Sequence, residues 1–164
     1  MNSLEVSTST LILKFKSGRH VGERAIVFRV AYYFQNNILD YLEDTGIVVD
    51  CEYNRHYDHD KVIYSNGKGS SPDLILHQRN TDEYNLIVCE FKGYWINNKK
   101  IEINKDKDKI KKYCGIHSQR GFQYQIGMVV FMEEEQFSVY LLENENWTEE
   151  VYEINFYEGR DKNE

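Results

Sequence analysis

Apolar residues recur at spacings of three and four from Ile26 onward, through Val27, Val30, Ala31, Phe34, Ile38, Tyr41 and Leu42. That period predicts a helix over roughly residues 19 to 43 with one stripe facing a core. Gly46 stops it, and "GIVVDCEYNR" (46 to 55) reads as a strand. A polar loop, "HYDHDKVIYSNGKGSS", leads to two further apolar runs at roughly 71 to 78 and 84 to 92. A Lys-rich amphipathic helix is predicted near 104 to 115. Strands follow in "YQIGMVVFME" and "FSVYLLEN", with a short last one in "VYEINFY". "LILKF" in the first 17 residues offers an edge strand. The order αβββαβ with terminal extensions predicts an α/β (α+β) fold, a central mixed sheet flanked by helices.

The two middle strands carry charges where apolar residues are expected. If they form a hairpin with Asp73 opposite Glu90, paired positions sum to 163, Arg79 meets Tyr84, and "NTDE" (80 to 83) closes an ordinary loop. Asp73, Glu90 and Lys92 then share one face with Ile75, Leu86 and Val88, because side chains alternate along a strand. Leu74, Leu76, Ile87, Cys89 and Phe91 fill the other face, as for central strands covered on both sides. Burying ionised groups is costly without compensation. Glu23 falls at the N-terminal end of the first helix's stripe, three and four residues before Ile26 and Val27. A Glu there is often only a partner for the helix dipole, but this one is the sole charge on the stripe and points towards the same sheet end. Three acids and a lysine suit a Mg²⁺ site acting on a phosphodiester. Mg²⁺ takes hard oxygen ligands and keeps waters, and it lowers the pKa of a bound water. An adjacent ammonium can orient the nucleophile or stabilise phosphoryl charge.

Composition narrows the setting. The 164 residues suit one domain, 1–164, with its core over about 19–132 and an acidic C-terminal extension, 133–164. No apolar run approaches the ~20 residues of a membrane span, and "MNSLEVSTST" lacks signal-peptide features, so the expectation is a cytoplasmic protein with no membrane partner. Cys51, Cys89 and Cys114 read as reduced core thiols. The net charge of −7 is concentrated: residues 133–164 hold 11 acids against Arg160 and Lys162, and the remainder is net +2. Lys99 to Lys112 carries seven lysines against Glu102, Asp106 and Asp108, which is either a phosphate-facing surface or a solvated helix face. His56, His59 and Cys51 lack a fourth zinc ligand. "SNGKGSS" lacks phosphate-loop spacing and leads into a strand. Trp95, in "YWINN", is read as packing on the sheet rather than stacking on bases. Arg24, Arg29 and Arg55 are candidates for reaching phosphates, with pairing to a nearby acid the other reading of Arg29.

Pro72-Asp73, sixteen residues, then Glu90-Phe91-Lys92 resembles the signature of the PD-(D/E)XK nuclease superfamily, whose core is a helix, three strands, a helix and a strand. "GERAIVFRVAYYFQNN" and "VDCEYNR" are similar to small prokaryotic members. The resemblance implies a restriction-endonuclease-like core. Asp73, Glu90 and the Phe91 carbonyl would hold Mg²⁺ (or Mn²⁺), Glu23 would assist through a water or second ion, and Lys92 would serve the attacking water. Lys109 of the second helix would face the site. Arg24, Arg55, Lys99, Lys100, Lys105 and Lys112 would contact DNA. The implied activity is endonucleolytic DNA cleavage of low or partner-supplied specificity, by a homodimer where both strands are cut, in restriction, phage defence or repair, in a prokaryote or phage. Gly93 departs from the pattern, where a second basic residue is common. The rival expectation is a catalytically inactive binding or regulatory module on the same fold.

Overall fold

The structure is a computed structural model describing residues 22–42, 44–63, 69–116, 122–133 and 136–153. Helix α1 (Glu23–Leu42) precedes β1 (Ile47–Cys51), a short hairpin of β2 (Arg55–His56) and β3 (His59–Asp60), then β4 (Leu74–Gln78) and β5 (Ile87–Gly93). Helix α2 (Lys99–Tyr113) follows, then β6 (Ile126–Met132), β7 (Gln136–Glu143) and β8 (Asn146–Glu153). Six strands form one mixed sheet in the order β1-β4-β5-β6-β7-β8. Its one parallel pair, β5 with β6, spans the α2 crossover, since parallel neighbours cannot be joined by a tight turn. A mixed α/β fold with its central sheet flanked by helices is therefore present, compatible with a restriction-endonuclease-like core. Among the described residues no helix is long and apolar enough to cross a membrane.

The expected hairpin register is found, with Leu74 paired to Cys89, Ile75 to Val88 and Leu76 to Ile87, but the strands part after Gln78 and resume at Ile87, so residues 79–86 form the connection instead of the expected four-residue "NTDE" loop. Strand alternation divides the buried residues between two cores. Ile75, Val88, Val129 and Phe131 meet Ile103, Ile110 and Tyr113 of α2. Leu74, Cys89, Phe91 and Met132 meet Ile26, Val27 and Ala31 of α1. Two glycines let these layers close. A Cβ on Gly127 would stand 2.2 Å from Ile110 Cγ2, so α2 lies directly on β6 there. A Cβ on Gly93 would stand 2.2 Å from the Trp95 ring, which explains why no basic side chain follows Lys92. Trp95 packs into the α1-side core, as read from the sequence.

Several elements differ from the sequence reading. Tyr41 is 83 % exposed, although Ile38 and Leu42 on the same helix are partly buried. Cys51 is an exposed free thiol at the end of β1, so only Cys89 is a fully buried core thiol; Cys114 is partly buried. Helix α2 begins at Lys99, about a turn before the predicted start; Asn98 enters it from the left-handed region at φ 59°. The acidic segment is no mere extension. Strands β7 and β8 form a hairpin whose turn residues Asn144 and Glu145 both have positive φ, 47° and 67°, matching the twist of tight hairpins. Ser138, Tyr140 and Leu142 of β7 are buried in the sheet. The last strand accordingly starts at Asn146 rather than in "VYEINFY". "LILKF" and residues 154–164 lie outside the described residues.

Candidate active site

Where β4 begins and β5 ends, six charged side chains meet. Asp73 occupies the bend before β4, and its Oδ2 accepts a hydrogen bond from the Phe91 backbone N–H at 2.7 Å, which fixes the carboxylate beside β5. Glu90 and Lys92 extend towards α2, on the face that carries Val88. The inward stripe of α2 reads Ile103, Asp106, Ile110 and Tyr113, so an acid occupies an apolar position, and Lys109 flanks it. Lys109 Nζ lies 2.7 Å from Glu90 Oε1 and donates to the Ser71 carbonyl at 3.1 Å. Lys92 Nζ lies 3.4 Å from Asp106 Oδ2 and 3.6 Å from Glu23 Oε1, and donates to the Phe91 carbonyl at 3.1 Å. Glu23 belongs to α1 on the opposite layer, and reaches Lys92 around the sheet's end.

The electrostatics follow from burial. Glu90 is 2 % exposed, and burial, with Asp73 adding to it and Lys109 opposing, pushes its pKa up to about 8. Burial likewise raises Asp106 and Glu23, with Lys92 opposing in both. Burial works against the charge of Lys92, but Asp106, Glu23, Asp73 and Glu90 outweigh it and its pKa rises. Lys92 is thus held as an ammonium and is unsuited to act as a base. Four carboxyl groups face two lysines, leaving a negative excess that favours a cation. Glu90 Oε1 and Asp106 Oδ2 are buried without a well-directed hydrogen bond, despite the ammonium groups beside them.

These groups fit a hard divalent cation through Asp73, Glu90 and the Phe91 carbonyl, all oxygen donors, one with a buried oxygen that lacks a well-directed hydrogen bond. Among the described residues no three His, Cys, Asp or Glu side chains gather into a ready-made metal cage. Glu23 accordingly meets the cluster through Lys92 rather than as a third member of a carboxylate trio. A cleft of about 390 Å³ lined by Glu23, Arg24, Val27, Phe28, Cys51, Glu52 and Asp73 opens onto the cluster.

The other expected contacts scatter. Arg24 is on the cleft rim, paired with Glu52 at 2.6 Å. Arg55 is not at this end: Glu52 has φ 49°, the chain doubles back across the sheet, and Arg55 pairs with Asp60 at 3.4 Å beside the β4–β5 loop residues Asn80, Thr81 and Asp82. The lysines of α2 form no single stripe, because a period-2 run such as 105, 107, 109 and 111 winds around a helix of period 3.6. Lys99 pairs with Glu133 and covers Phe131, Lys105 pairs with Glu102 at 2.6 Å, and Lys107 covers the Tyr140 ring at 3.8 Å. Lys100 is exposed and Lys112 is half-buried.

Sequence reasoning missed Asp106, counting it only as a charge among lysines. Its spacing of three from Ile103 and four to Ile110 was the available signal. It also missed Lys61, which is 3 % exposed beyond the other end of the sheet. Lys61 Nζ donates to Tyr124 Oη at 2.9 Å, with the Tyr53, Phe122 and Tyr124 rings 5.2 to 5.4 Å away. Burial pulls its pKa down to about 8, against Asp82 and Asp50. His56 beside it pairs with Asp82 at 2.9 Å, and His59 is exposed in β3.

No protein-family model and no curated protein matches the chain. Among solved structures it is similar to part of a chain in a cryo-EM structure of a DrdV–DNA complex, with 15 % identity and a TM-score of 0.46, over 92 % of this chain and 12 % of that one. The chain thus spans a small part of that chain's length.

Proposed function

We propose that this chain is a metal-dependent nuclease hydrolysing phosphodiesters in DNA, with Mg²⁺ or Mn²⁺ held by Asp73, Glu90 and the Phe91 carbonyl. The observation that carries the reading is the sheet-end cluster itself: a nearly fully buried Glu90, ion-paired to Lys109 but without a well-directed hydrogen bond on Oε1, beside Asp73 and an ammonium clamped by two acids. A bound divalent cation supplies an acidified water and neutralises phosphate charge. The protein's part is positioning. Glu23 and Asp106 hold Lys92 protonated, so its ammonium can steady the attacking water or the phosphoryl oxygens. Lys109 stabilises the ionised form of Glu90 and ties α2 to the Ser71 carbonyl, holding the helix against the site. Cleavage of both strands would be served by a homodimer with one site per strand.

One observation favours a non-catalytic binding module instead. Lys109 at 2.7 Å already neutralises the carboxylate that the metal needs. Activity decides between them. Purified protein should cut plasmid or single-stranded DNA with Mg²⁺ or Mn²⁺ and stop in excess EDTA. Asp73→Ala and Glu90→Ala should lose metal binding and cleavage together. Lys92→Ala should still bind metal but cleave on the order of a hundredfold more slowly. Absence of cleavage with either metal refutes the nuclease reading, and cleavage that persists in EDTA, or a Lys92→Ala variant at the parental rate, refutes its metal-dependent, Lys92-assisted mechanism.

A further inference from the structure

The outward side of α1 carries a row that core packing does not explain. Arg24, Phe28, Tyr32 and Asn36 recur every four residues, and all four are exposed, Phe28 at 63 % and Tyr32 at 52 %. Four residues advance a helix by about 6 Å, so the row extends about 18 Å along α1 with a gradual turn. It starts in the cleft: Arg24 and Phe28 line it together with Glu23 and Asp73 of the charged cluster. Tyr32 is steadied by an edge contact with Tyr33, ring centroids 5.4 Å apart at 82°. Arg29, also exposed, flanks the row. Arg24 shares its charge with Glu52, but that pair is solvent-exposed, and such pairs are weak enough to open towards a phosphate.

The occupant follows from this chemistry. Exposed rings beside guanidinium groups suit unpaired bases on an anionic backbone, since every base has a face to stack and Arg adds cation–π attraction. A duplex hides those faces. An apolar protein partner would find two rings bordered by Gln35, Asn36, Asn37 and Asp40. We propose that the Arg24–Phe28–Tyr32 row is a stacking platform for unpaired bases, so that the candidate site takes single-stranded or frayed nucleic acid led in along α1. The inference rests on the nuclease reading for what happens in the cleft, but binding can be measured without cleavage.

The test uses a single-stranded 12-mer carrying 2-aminopurine, titrated with full-length protein in EDTA. The parent should bind it and change the probe's fluorescence through stacking. Phe28→Ala and Tyr32→Ala should each weaken binding about five- to hundredfold, and Phe28→Trp should restore it. Both positions are exposed, so thermal midpoints should match the parent. Parental affinity in the alanine variants overturns the platform, as does binding without a fluorescence change. A variant that instead loses self-association in light scattering also overturns it and makes the row a contact between copies. If the parent stacks the probe yet never cleaves with Mg²⁺ or Mn²⁺, the nuclease reading fails and the platform stands. If it cleaves, and the alanine variants keep the parental preference between single strand and blunt duplex, the platform fails and the nuclease stands.

Discussion

Replacing Lys61 by Met should stabilise the protein at neutral pH and reverse the sign of that effect in alkali. Lys61 is almost fully buried, and its pKa is pulled from 10.5 to about 8. A tenfold change in a protonation equilibrium corresponds to about 1.4 kcal/mol, so keeping the ammonium charged in the folded state costs about 3 kcal/mol below pH 8. Against this, the substitution strips Tyr124 Oη of its donor, a loss of about 1 kcal/mol. The net gain at pH 7 is about 2 kcal/mol, or a rise of about 4 to 8 °C in melting temperature for a chain of this size. Between pH 8 and 10.5 the unfolded chain binds more protons at this site than the folded one, so the parent gains stability as pH rises. The advantage of Lys61→Met should therefore shrink through that window and end near −1 kcal/mol. Urea unfolding followed by tryptophan fluorescence at pH 7, 8.5 and 10.5 measures this. Taking parent minus variant removes the tyrosine and cysteine titrations common to both. A difference that stays constant with pH, or a variant less stable at pH 7, would show that the three aromatic rings carry the charge well enough to leave its pKa undepressed.

Glu90→Gln should leave metal-free stability near parental at pH 5 and exceed it increasingly up to pH 8, because the raised pKa of Glu90 makes the parent lose stability as pH climbs from 4.5 to about 8; melting curves in EDTA that stay parallel would refute this, and added Mn²⁺ should stabilise only the parent. Asp106→Asn releases one side of the Lys92 clamp, so cleavage should slow about tenfold or more at saturating metal while calorimetric Mn²⁺ affinity holds; equal rates would make Asp106 a bystander. Gly127→Ala forces a Cβ to within 2.2 Å of Ile110 and should lower stability by about 1–3 kcal/mol, with partial recovery on adding Ile110→Ala; an unshifted urea midpoint would contradict the close helix–strand contact.

What the sequence determined by itself was local and periodic. Alternation along two apolar runs specified the β4–β5 register, because slipping it by one residue would move every side chain to the wrong face; the four-residue loop expected with it is not formed. From that register came the shared face of Glu90 and Lys92 with Asp73 at its end. Helical spacing placed Glu23 at the start of an inward stripe, whereas Lys109 was expected only through the family resemblance and lies 2.7 Å from Glu90. Tertiary structure decided what depends on how separate elements cross. Asp106 became a clamp only because α2 lies across β5, bringing a mid-helix acid within 3.4 Å of Lys92. Glu23 reached that same ammonium from the other layer, which no period along α1 encodes. The left-handed turn at Glu52 carried Arg55 away from the cluster. The strand expected in "FSVYLLEN" is present as β7, but its place in the sheet was decided by β6, whose edge Gln136 to Glu143 pair, burying Tyr140 and Leu142.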